Sequence, residues 1–89
     1  MDLWIRSQDR ERLTKSTGFH IEANINYYNN KPTDFDVYAL NSIKFIKIGT
    51  YKTKERALEI LDEIQKMDFG NNPNVKLTTY GYVYEMPNE

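Results

Sequence analysis

His20 is the only histidine of the chain, and in an alternating segment it shares a face with Glu22. An imidazole beside a carboxylate can polarise a hydroxyl or relay a proton. The surrounding pattern supplies neither a nucleophile nor a second ligand, so the pair reads as a strand histidine beside an acidic neighbour. Asp34-Phe35-Asp36 sets two carboxylates in an Asn- and Pro-rich stretch. A calcium loop wants more oxygen ligands and a defined glycine, so these two read as part of a polar loop. The four glycines are scattered, and none belongs to a phosphate-cradling loop. There is no cysteine, hence no disulfide framework and no thiol chemistry. No catalytic residue, metal site or cofactor is expected.

What remains is recognition chemistry. Arg6, Arg10, Arg12 and Lys15 could gather at one end of a sheet. With Trp4, His20, Tyr80, Tyr82 and Tyr84 they could line a pocket for an anionic, ring-bearing ligand such as a nucleotide. Rings stack on aromatic side chains while cations hold the charge. The plainer reading is solvated charge at a hairpin end. The tyrosines raise a second question. If residues 75–84 form one strand, Tyr80, Tyr82 and Tyr84 share one face and Val75, Leu77 and Val83 the other. Both faces would then be apolar, and something must cover the tyrosine side: more of this chain, a second copy or a ligand.

The elements that would position these residues follow from periodicity. Leu3 to Arg6 and Arg12 to Lys15 read as short strands, with a turn at Ser7-Gln8-Asp9-Arg10 between them. Phe19, Ile21, Ala23 and Ile25 alternate with polar residues, a half-buried strand. Residues 27–36 read as a loop or hairpin tip around Asn29-Asn30-Lys31-Pro32, Val37 to Leu40 as a short strand, and Ile43 to Tyr51 as a central strand with apolar groups on both faces. One helix is expected over about 53–68. Thr53 would cap it, and Ala57, Leu58, Ile60, Leu61, Ile64 and Met67 would form its apolar stripe. Gly70 would end it. Gly49 is expected to let helix and strand approach, and Gly81 to let an aromatic lie across its strand. The fold class is α+β: a mostly antiparallel sheet of about five or six strands, one helix on one face, and a single domain over residues 1–89.

The bulk numbers narrow the function. Leu, Ile, Val and Phe make up about a quarter of the chain, above the roughly 20% level below which chains tend to stay disordered. The core is still small for a domain of this size. Seven tyrosines and one tryptophan suit either that core or an interface. A net charge of −1 argues against a general binder of phosphate backbones. No apolar run is long enough to span a membrane, and the first residues lack the pattern of a signal peptide. A cytoplasmic location is expected.

Three stretches resemble known proteins. Met1-Asp2-Leu3-Trp4-Ile5-Arg6-Ser7-Gln8-Asp9 is similar to the opening of a family of small proteins from Gram-positive bacteria, their phages and prophages. The segment from Ile48 to Gln65, which begins Ile48-Gly49-Thr50-Tyr51-Lys52-Thr53-Lys54-Glu55-Arg56-Ala57, resembles that family's strand-to-helix segment, and Tyr84-Glu85-Met86-Pro87 its close. The likeness does not extend over residues 19–42. The family carries no assigned activity, so the resemblance implies context rather than catalysis: a small cytoplasmic accessory protein, phage-borne. The leading expectation is a non-enzymatic binding protein that associates with itself as a homodimer or larger homo-oligomer and binds and inhibits a host protein. The alternative is a protein that sequesters a small anionic or nucleotide-like ligand. A single-strand nucleic-acid binder comes behind both.

Overall fold

The computed structural model describes residues 3–66, 72–79 and 81–89. Among them seven strands and one helix follow in the order β1 (Leu3–Arg6), β2 (Leu13–Ser16), β3 (Gly18–Ile25), β4 (Pro32–Asn41), β5 (Lys44–Tyr51), α1 (Lys54–Lys66), β6 (Val75–Thr78) and β7 (Gly81–Glu85). The class is α+β, with mostly antiparallel pairing. The strands divide into two sheets, ordered β2-β1-β7-β6 and β3-β4-β5. The division occurs at Thr17, the single bend residue between β2 and β3. Its N–H donates to Leu40 O at 2.9 Å, so the chain leaves one sheet and enters the other within one residue.

The last apolar segment is a hairpin rather than one strand. β6 pairs antiparallel with β7, Val75 opposite Tyr84 and Leu77 opposite Tyr82. Direct partners across a ladder share a face, so Val75 and Leu77 lie on the same side as Tyr82 and Tyr84. Tyr80 lies outside the described residues, as do Met67 and Gly70. Gly81 permits the reversal through its φ of 103°, a conformation that costs glycine nothing. Among the described residues beyond its two chain neighbours, a Cβ there would meet nothing within 4 Å, so the positive φ of the turn is the constraint the structure shows. At Gly49 a Cβ would fall 2.9 Å from Cε2 of Tyr51. The constraint is therefore the Tyr51 ring, not the helix.

The loop expected over residues 27–36 is shorter than its composition suggests. β4 begins at Pro32 and includes Asp34-Phe35-Asp36. Proline is tolerated as the first residue of a strand, and Phe35, Val37 and Ala39 then alternate inward. β4 is the central strand of its sheet and β5 an edge. A register shift opposite Val37/Tyr38 leaves Ile48 as an extra residue on β5, which turns it into the core. Ile43 falls in the β4–β5 turn and is 89% exposed.

One core joins all three layers. Leu3 and Ile5 of β1, Tyr84 of β7, Val37 and Ala39 of β4 and the helix residues Ala57, Ile60 and Ile64 form a single buried cluster. A fully buried side chain of the Ile class contributes about 1.5–3 kcal/mol. The helix starts as its sequence suggests: Thr53 Oγ1 accepts from the N–H of Arg56 at 3.1 Å. Glu55 lies in its first turn and Lys66 in its last, each favourable to the dipole. Its stripe is narrower than the spacing implies, since Leu58 remains 44% exposed.

Candidate functional site

Four carbonyl groups near the chain's end are held by side chains from distant positions. Arg10 Nη1 donates to Met86 O at 3.0 Å. The Tyr51 hydroxyl donates to Pro87 O at 2.7 Å. Gln8 Nε2 donates to Asn88 O at 2.8 Å, and Arg56 Nε to Glu89 O at 2.8 Å. Gln8 also donates to Thr50 O and accepts from its N–H at 2.9 Å. The β1–β2 turn presents Gln8 and Arg10 because it is itself well bonded. Ser7 Oγ accepts from the Arg12 N–H and donates to Asp9, and Arg10 adopts a φ of 68°. The Ser7 hydroxyl, first, and the Glu11 N–H hold the Asp9 carboxyl below its usual range.

The described members of the expected pocket do not share one place; Tyr80 lies outside the described residues. Arg10 fastens the tail, and Arg6 reaches Arg10 O at 3.4 Å. Arg12 is exposed on the turn. Tyr84 is buried, and its hydroxyl donates to Glu63 of α1. Tyr82 shares its face but is 40% exposed. His20 lies in the other sheet, stacked on Tyr38 with ring centroids 5.0 Å apart, and its Nε2 is 3.7 Å from Glu22 Oε1. Asp34 accepts from Asn24 and Asp36 from the Thr50 hydroxyl. Among the described residues no three His, Cys, Asp or Glu side chains converge.

Trp4 finds a different set of neighbours. It lies on the outward face of β1, with Lys15 as its Cα partner on β2. Both line a half-open cleft of about 680 Å³, together with Thr17, Asn41, Ser42 and Lys44. The β4–β5 turn supplies the far wall. Two lysines, hydroxyl- and amide-bearing residues and a tryptophan thus line one concavity. Such a set can hold a compact anion and stack a planar ring. A second cleft of about 690 Å³ lies between Tyr51, Lys52, Thr53, Arg56 and the tail residues Asn88 and Glu89. There Arg56 is paired with Glu59 at 3.1 Å, which offsets its charge. Sequence reasoning singled out Trp4 and Lys15 but missed Lys44 and Ser42, because no local pattern says that the β4–β5 turn lies over β1–β2.

Compared with protein-family models, with curated proteins and with solved structures, the chain matches none.

Two tyrosines give the fold an alkaline limit. Burial pushes the Tyr51 hydroxyl up to about 12, against the pull of Arg56 and Arg10. Burial, reinforced by the bond to Glu63, raises Tyr84 further still. Both folded values lie above the unfolded value of about 10. Below pH ~10 both groups are neutral in both states and their contribution is whole. Above it the unfolded chain loses protons that the folded chain keeps, so stability falls as pH rises, by up to ~1.4 kcal/mol per pH unit for each group. Urea unfolding between about pH 10 and 12 should show this fall, shallower in the Tyr51→Phe/Tyr84→Phe double variant. An equally steep fall in that variant contradicts the assignment.

Proposed function

We propose that this chain is a non-enzymatic binding protein that captures a small anion bearing a planar ring, a nucleotide being the chemical type, in the cleft beside Trp4. The observation that carries the reading is the convergence of Trp4, Lys15 and Lys44 on one concavity. Its volume lies within the roughly 300–1,000 Å³ of ordinary small-molecule sites. The reading also draws on what the fold does with the final tyrosines. Tyr84 is covered within the chain, which removes the first motive for placing a second copy there. In the phage or prophage setting that the sequence resemblance implies, such a cytoplasmic accessory protein acts by lowering the free concentration of its ligand.

Self-association remains a second reading, on a different surface. Among the described residues β3 is an edge strand of its sheet, and edges of this kind accept further strands. At the adjoining hairpin tip Tyr27 is 100% and Tyr28 99% exposed, while Asn26 Oδ1 and Asn29 Oδ1 hold the turn in shape. A Tyr27→Asp/Tyr28→Asp variant should reduce the mass measured by light scattering to that of one chain; an unchanged oligomer, or a wild-type monomer, contradicts this reading.

Trp4 is the only tryptophan, so its fluorescence reports the cleft directly. Titration with adenosine monophosphate should quench it and raise the melting temperature, since a ligand that binds the folded state stabilises it, by about 2.7 kcal/mol at a hundred times Kd. Lys15→Glu and Lys44→Glu should each weaken the effect at least tenfold. Absence of quenching by purine and pyrimidine nucleotides alike, or full retention in both variants, overturns the proposal.

A further inference from the structure

The outer face of the β3-β4-β5 sheet carries a chemistry opposite in sign to the Trp4 cleft. Val37, Ala39 and Phe35 turn inward toward the helix and the other sheet. Alternation therefore turns His20, Tyr38 and Phe45 outward. His20 and Tyr38 are direct partners across β3 and β4. Their rings lie 5.0 Å apart and nearly parallel, at 9°. Phe45, opposite Leu40 on β5, meets His20 edge-on at 4.3 Å and 85°. Three rings thus form one platform, and Phe45 is 51% exposed on it.

The charges beside the platform are mostly negative. Glu22, Asp36 and Asp34 lie on the same face by register, with Lys47 as the cation opposite Tyr38. Glu22 Oε1 is 3.7 Å from His20 Nε2. Asp36 is buried and accepts from the Thr50 hydroxyl. Burial first, and then Asp36 and Glu22, raise the Tyr38 hydroxyl above its ordinary range. A phosphate or carboxylate is disfavoured here. A planar cation is favoured, because a guanidinium stacks on aromatic faces and its N–H fork suits a carboxylate. The platform is also a sheet face, open on one side. A chain segment suits such a surface better than a small molecule, since it adds contacts along the strands.

We infer that this face docks an arginine-bearing segment of a partner protein, with the guanidinium packed against the exposed Phe45 ring and its N–H groups donated to Glu22. The site is independent of the anion cleft, so each stands or falls alone.

The probe is a short capped peptide in which arginine alternates with glycine, titrated while the aromatic ring resonances of the protein are followed by NMR. The lysine counterpart serves as the control. The arginine peptide should shift the resonances of His20, Tyr38 and Phe45 and bind several-fold more tightly than the lysine peptide, because a planar guanidinium stacks on a ring and forks onto a carboxylate where an ammonium does not. Glu22→Gln and Phe45→Ala should each weaken it several-fold. Glu22 is exposed, so the Gln variant keeps its fold and isolates the charge. Equal affinity for both peptides, shifts confined to other residues, or unchanged binding in Glu22→Gln overturns the inference.

Discussion

The rest of the structure depends on the two-sided pairing of β1. This strand has four residues, yet β2 pairs it antiparallel and β7 parallel. Parallel pairing needs a long crossover, here everything from β2 to β6. Residues near the two chain ends therefore meet across one ladder, Ile5 opposite Tyr84 and Arg6 opposite Glu85. The pairing sets the alternation: Leu3 and Ile5 enter the core, while Trp4 and Arg6 turn outward. The core and the wall of the Trp4 cleft are two faces of the same short strand. Contacts this distant in sequence close late and slowly in folding.

The tail completes what that pairing begins. Met86 is fully buried and its N–H donates to Arg6 O at 3.0 Å, so the chain stays fastened to β1 beyond the last strand. The carbonyls that follow are taken by Arg10, Tyr51, Gln8 and Arg56. Bonds from charged donors are the stronger kind, and buried networks hold when every member is satisfied. The turn arginine that looked like an anion ligand is thus spent on backbone oxygen.

Local signals were legible and long-range ones were not. Thr53, Ala57, Ile60 and Ile64 declare the helix by capping and spacing. The alternation from Phe19 to Ile25 declares β3. The β6–β7 turn was hidden because alternating tyrosines on either side of Gly81 read as one strand, and only its positive φ makes the glycine decisive. Ser16-Thr17-Gly18 reads as a break from its residue types, but nothing local says that it parts two sheets, which a single backbone bond from Thr17 to Leu40 accomplishes. For the site, aromatic and cationic residue types were readable near β1, but their grouping was not. Arg10 and Tyr84 were drawn away by partners more than fifty positions distant or on another element, and Lys44 arrived by a turn that no pattern ties to Trp4.

The two surfaces proposed for recognition differ in residue type and in shape: a lysine-lined cleft beside Trp4, and an aromatic sheet face bordered by Glu22. Local arrangement, not net charge, sets what each can hold. The measurement that tests the central claim most directly is chemical-shift mapping of the isotope-labelled protein as adenosine monophosphate is added. The account predicts shifts concentrated at the Trp4 indole and at the backbone of Lys15, Thr17, Ser42 and Lys44, with β3 and the hairpin tip unmoved. Shifts centred on Tyr51, Lys52 and Arg56, or none at saturating ligand, would contradict it.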